Sequence, residues 1–160
     1  MKYRNIIASA AMAALATAVP AFAVDLEYDS ADGTHIRLEH VQPTLIVAQG
    51  VTPRDLPAGE THVDTLKRLI CHSSAGCLVT AKIWISFLGA YAPKVSAYVD
   101  NVAMEPANVI TDSEVLTAQQ SVLVSTGIHT AQTKVTKGKK QGQMTGWNIE
   151  YAKYELPVVR

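Results

Sequence analysis

The chain carries no surplus of either charge: 14 Lys and Arg stand against 14 Asp and Glu in 160 residues. That balance argues against a nucleic-acid partner, because affinity for phosphate backbones comes from excess basic side chains. Beyond the first 23 residues no apolar run is long enough to span a bilayer; the longest, Leu78 to Ala92, is interrupted by Lys82. No Gly-x-Ser-x-Gly elbow is present, so a serine hydrolase has no nucleophile in its usual setting. The five histidines, His35, His40, His62, His72 and His129, lack the paired spacing of a metal site. No repeat of fixed period and no low-complexity tract occurs, which excludes a repeat array.

What is present begins with an address. Lys2 and Arg4 give a positive start, Ile6 to Val19 is apolar and alanine-rich, Pro20 breaks the run, and Ala21-Phe22-Ala23 supplies small residues for cleavage. The run is about 14 residues, short of the roughly 20 that a retained membrane anchor needs. Residues 1–23 therefore read as a signal peptide cleaved after Ala23, and Val24 offers no cysteine for lipidation. Residues 24–160 then hold 12 basic side chains against 14 acidic, a formal charge of −2, in a length that suits one domain. The ending Pro157-Val158-Val159-Arg160 lacks the terminal aromatic that often closes outer-membrane barrels. The expected product is secreted or periplasmic, with no integral membrane segment after cleavage.

Export would carry Cys71 and Cys77 into an oxidising compartment, where a disulfide between them is expected. They bracket the polar segment His72-Ser73-Ser74-Ala75-Gly76 between two strand-like runs, so the bridge is expected to staple a hairpin at its mouth. For so short a loop, chain-entropy reasoning gives about 2 kcal/mol. A redox or metal site built from these thiols and His72 is the alternative. It would need a Cys-x-x-Cys spacing or a neighbouring ligand cluster, and neither is there.

Val79, Ala81, Ile83, Ile85 and Phe87 alternate with Thr80, Lys82, Trp84 and Ser86, the period of a half-buried strand. Leu45–Gln49, Val63–Ile70, Lys94–Asp100 and Leu116–Val124 carry similar β-branched or alternating patterns. Asp100-Asn101 suits a two-residue turn into Val102–Met104. His129–Lys137 and Gln143–Leu156 read as a hairpin around the tip Gly138-Lys139-Lys140-Gln141-Gly142, with a bulge near Ala152 to return Tyr154 and Leu156 to the core. Asp112–Ser121 suits a short helix or a strand, and residues 24–40 an extended arm or a first strand. About eight short strands with frequent turns predict an all-β fold: one antiparallel β-sandwich, jelly-roll-like, over residues 24–160.

The Cys71 to Cys77 loop, Tyr98-Val99-Asp100-Asn101, Gly127-Ile128-His129-Thr130-Ala131-Gln132 and the strand Trp147 to Tyr154 together resemble small secreted bacterial β-sandwich proteins without an assigned activity. The Gly-x-His-Thr stretch is also similar to a strand beginning in jelly-roll domains of the C1q and tumour-necrosis-factor type. The resemblance spans Val63 to Tyr154. It implies a sandwich and brings no catalytic residues with it; no metal or cofactor is expected. The C-terminus lacks the penultimate Tyr of chaperone-assembled pilins.

Candidate chemistry is correspondingly sparse. A glycosidase needs two carboxylates across a cleft, for which Asp100, Glu105, Asp112 and Glu114 are available. Asp29-Ser30-Ala31-Asp32-Gly33 lacks the alternating ligands and distal Glu of a calcium loop and reads as a turn. Trp84 and Tyr98 fall on the polar sides of their strands, where exposed rings would form a platform for sugars. Lys134, Lys137, Lys139 and Lys140 gather near the C-terminal tip, placed either for an anionic partner or to keep edge strands apart. The expectation is a non-catalytic secreted protein with a binding or structural role, such as a subunit of a self-associating surface assembly. The alternatives are a carbohydrate-binding module for an extracellular glycan and a small secreted hydrolase.

Overall fold

The computed structural model describes residues 23–30, 32–50, 53–55, 60–89, 93–111, 113–136 and 142–158. The expected signal segment through Phe22, Asp112, and Lys137, Lys139 and Lys140 lie outside the described residues. Among the described residues thirteen strands follow in chain order: β1 (Val24–Asp29), β2 (His35–Val41), β3 (Thr44–Gly50), β4 (Arg54–Asp55), β5 (Glu60–His62), β6 (Lys67–Cys71), β7 (Cys77–Leu88), β8 (Lys94–Val99), β9 (Val102–Ala103), β10 (Val109–Ile110), β11 (Val115–Val124), β12 (Gly127–Thr136) and β13 (Gln143–Glu155). No helix occurs among the described residues, and the stretch that competed for one forms β11. The excess over eight strands comes mostly from short elements of two or three residues at the sheet margins.

All pairings are antiparallel. One sheet runs β11–β7–β13–β3, with β4 beside the start of β13; the other runs β10–β8–β12–β5, with β6 also on β12 and β9 on β8. The alternation read in β7 is realised: Val79, Ala81, Ile83, Ile85 and Phe87 are buried while Lys82, Trp84 and Leu88 face out. They meet Leu116, Ile149 and Tyr151 of their own sheet and Leu69, Val95, Ala97, Val99, Ala131 and Val135 of the other. The two inner faces thus share one apolar core, the arrangement of a β-sandwich.

The long strands alternate between the sheets as the chain advances: β6, β8 and β12 belong to one, β7, β11 and β13 to the other. This corrects two expected hairpins. β6 pairs with β12 and β7 with β11 and β13, so the Cys71–Cys77 loop passes from one sheet to the other and the disulfide links the two layers. Likewise β12 and β13 are not partners but belong to different sheets. Short polar, glycine-containing connections serve either purpose. The two-residue turn does form: Asp100 and Asn101 take φ of 49° and 67°, and Val99 pairs with Val102 across them.

No bulge falls at Ala152. The β7–β13 register runs unbroken from Gly146 to Glu155 and shifts between Met144 and Gly146 instead. Tyr154 therefore stays on the outer face and is buried there by a second, smaller cluster. The β1–β2 hairpin, Asp29 opposite His35, lays Leu26, Tyr28, Ile36 and Leu38 over Leu78, Ala152 and Tyr154. Residues 24–40 are thus a cover for one end of the five-stranded sheet's outer face. Among the described residues nothing covers the other end.

Candidate functional site

Trp84 stands at the centre of that open end. Its cross-strand partners are Thr117 on β11 and Asn148 on β13; one row along, Lys82 lies between Gln119 and Glu150. Period two brings all six side chains to the same outer face. Gly146 lies beside the indole: a Cβ there would sit in ordinary contact, 3.6 Å from Trp84 Cζ3, and more tightly, 3.3 Å, against Ser86 Oγ. Ser86 Oγ in turn is 2.7 Å from Thr145 Oγ1, fixing the strand ends beside the ring.

The result is a concavity of about 420 Å³ whose floor includes Ile83 and Ala118. Trp84 is 43% exposed, an unusual position for so large an apolar ring. Around it the chemistry is complementary. Asn148 and Gln119 can each donate and accept, Glu150 only accepts, and Lys82 only donates. An apolar ring face rimmed by both kinds of hydrogen-bonding group suits a ligand with C–H faces and hydroxyl edges.

Tyr98 does not join this surface. It lies on the outer face of the six-stranded sheet, beside Gln132 and Ala103, with the Lys134 ammonium 4.6 Å from its ring centroid. The two rings expected to form one platform are on opposite sides of the sandwich. Lys134 belongs to the Tyr98 face, while Lys137, Lys139 and Lys140 lie outside the described residues.

Cys71 and Cys77 are bonded, with Cα atoms 5.8 Å apart. Glu155 approaches both sulfurs, yet the bridge commits them and leaves no thiolate to bind a metal. Its carboxylate serves the loop instead, accepting the His72 and Ser73 N–H groups, the latter at 2.6 Å, and an ion pair from Lys153. Burial works against that charge; Lys153 and the N–H donors outweigh it and hold the carboxyl below its ordinary range.

Among the described residues the candidate acids Asp100, Glu105 and Glu114 do not converge. Asp100 lines a small depression with His129, Glu105 lines a separate, larger one with Tyr28, and Glu114 is exposed ahead of β11. Asp100 Oδ2 is 2.6 Å from His129 Nδ1, and Asp100 Oδ1 accepts the Thr130 N–H at 2.8 Å. Asp29, which was not among the candidate acids, shares the Glu105 depression, and its Oδ1 is engaged by His35 Nδ1 at 2.6 Å. Asp32 lies in the β1–β2 turn, its Oδ1 accepting from Ser30 Oγ and the Thr34 N–H, as the turn reading requires.

A polar network inside the sandwich has no counterpart in the sequence reading. The Tyr151 hydroxyl, fully buried, donates to Asp64 Oδ2 at 2.9 Å and lies 2.7 Å from Thr133 Oγ1, while Asp64 Oδ1 accepts the Thr133 N–H. Burial raises the Asp64 carboxyl above its usual value despite these bonds. Its role is to join the sheets, because Tyr151 and Thr133 belong to different layers. Also missed were Thr117, Gln119, Asn148 and Glu150, which become neighbours of Trp84 only through strand register.

No protein-family model matches this chain, and no curated protein does. Among solved structures, one described as the EclA C-terminal domain, a sugar-binding protein, is similar to it at 18% identity, covering 70% of this chain and 82% of that chain with a TM-score of 0.42. Among the described residues no helix is long and apolar enough to cross a membrane.

Proposed function

We propose that this chain is a secreted, non-catalytic carbohydrate-binding protein whose ligand rests on the Trp84 face of the five-stranded sheet. The observation that carries the reading is the half-exposed indole in a concavity rimmed by Asn148, Gln119, Glu150 and Lys82. A pyranose offers an apolar C–H face to the ring, and its hydroxyls need the mixed donors and acceptors found at the rim. The inter-sheet disulfide suits an oxidising compartment, and Glu150 is the one carboxylate among the described residues lining the Trp84 concavity, which favours binding over two-carboxylate hydrolysis there. Lys134 beneath the opposite face is a separate feature and plays no part in this site.

The test is a glycan array probed with wild type and Trp84→Ala, with circular dichroism confirming that both are folded. Wild type is expected to retain at least one glycan class, and Trp84→Ala to lose it. An empty wild-type profile, or a profile that Trp84→Ala leaves intact, overturns the reading.

A further inference from the structure

The Trp84 concavity is not isolated. Gln119 lines it and also lines a larger depression of about 630 Å³, bounded by Tyr28, Asp29, Glu105, Pro106 and Ser121. Thr117, Gln119 and Ser121 are successive outward residues of β11. At a rise of ~3.4 Å per residue, the path from Thr117 to Ser121 covers about 14 Å, longer than a single pyranose ring.

The far wall of this second depression is held in place from several directions. Glu105 and Ser121 exchange two main-chain hydrogen bonds, at 2.8 and 2.7 Å. The buried Gln120 side chain donates to the Pro106 carbonyl and accepts the Ala97 N–H at 2.7 Å, and the Met104 N–H bonds to the Ala97 carbonyl at 2.8 Å. The opposite wall is Tyr28, seated on the apolar cluster under the β1–β2 hairpin. A wall fixed this way does not have to be ordered when a ligand arrives.

Charge narrows the ligand further. Lys82 is the one cation among the described residues lining either depression, against the carboxylates of Asp29, Glu105 and Glu150, and Asp29 is also bonded to His35 Nδ1 at 2.6 Å. An anionic sugar would meet repulsion along most of this path.

From this continuity we infer that the site is a groove with two subsites, and that its ligand is an uncharged oligosaccharide of at least two consecutive rings. One ring stacks on Trp84, and the chain crosses Gln119 into the Tyr28–Glu105 depression. The inference rests on the glycan reading above and adds the length and charge of the ligand.

Its test is an array carrying mono-, di- and tetrasaccharides of glucose, galactose, mannose and N-acetylglucosamine, with galacturonate chains of the same lengths. In at least one uncharged series, affinity is expected to rise at least about tenfold from mono- to tetrasaccharide, and galacturonates to give no signal. Glu105→Gln and Gln119→Ala, both outward-facing and checked for folding by circular dichroism, are expected to shrink that rise. Equal affinity for mono- and tetrasaccharide, a preference for galacturonate, or a rise untouched by both substitutions overturns the groove and leaves glycan binding at Trp84 standing. No signal in any series overturns both.

Discussion

The Trp147 indole occupies the space over its cross-strand partner Gly50: a Cβ at position 50 would fall 1.9 Å from Trp147 Cζ2. Arg54 lies on the ring, its guanidinium carbon 4.9 Å from the centroid. The ring closes the core where β3 meets β13, and only glycine lets it approach so closely. Gly50→Ala is expected to cost about 1–3 kcal/mol, the usual range for overpacking, read from urea denaturation. An unchanged midpoint would contradict this packing.

The disulfide joins two layers that share no hydrogen-bond ladder at Cys71 and Cys77. Replacing both cysteines with serine is expected to lower unfolding stability by about 2 kcal/mol while leaving the β-sheet circular dichroism signal in place. Because Glu155 and Ser73 still anchor the loop, through the Ser73 N–H and through Ser73 Oγ to the Leu156 carbonyl at 2.6 Å, the fold should persist. Loss of the sheet signal in the double-serine variant would show that this anchoring is insufficient.

His129 is buried with an acceptor at each ring nitrogen: Asp100 Oδ2 at Nδ1 and the Ser125 carbonyl, 2.7 Å away, at Nε2. Burial opposes the charged ring, but the bonds to Asp100 and Ser125 and the Asp100 charge prevail and raise its pKa above 6.5. The folded state thus holds this proton more tightly than the unfolded chain. The stabilisation is complete below pH 6.5 and is lost as pH rises through the raised folded value. Asp100, lowered first by its bond to His129, contributes above its ordinary 3.8 and loses that contribution as pH falls through the lowered value. The stability difference between wild type and His129→Gln should therefore be largest from about pH 4 to about pH 6.5 and shrink above it. A difference that does not vary with pH would contradict the assignment.

Much of the architecture was legible because β7 announces itself locally. Its alternation separates Val79, Ala81, Ile83 and Ile85 from Lys82 and Trp84 without reference to any other segment. What failed was partner choice. The connections at 72–76 and between β12 and β13 have the composition of hairpin turns, and nothing local distinguishes a chain that folds back on itself from one that crosses to the facing sheet. Tyr154 was misassigned for a related reason: its parity pointed outward, and the hairpin that buries it there comes from residues 24–41, whose own pairing was undecided.

The same division holds for the candidate site. Trp84 could be picked out because its parity and its size disagree. Its neighbours Gln119, Asn148 and Glu150 come from strands distant in sequence, and they gather only once the β11–β7–β13 register is set. Tyr98 showed the same disagreement of parity and size, yet it lies on the other sheet, which no pattern within β8 reveals.

The central claim, that the ligand rests on Trp84, is tested most directly by the two tryptophan indole N–H resonances in a proton–nitrogen correlation spectrum. The resonance that disappears in Trp84→Phe identifies the exposed ring; the other belongs to Trp147, which is buried. Titration with the oligosaccharide best retained on the array should shift the Trp84 indole progressively and leave Trp147 in place. Shifts confined to Trp147, or none at either indole under saturating ligand, would contradict the account.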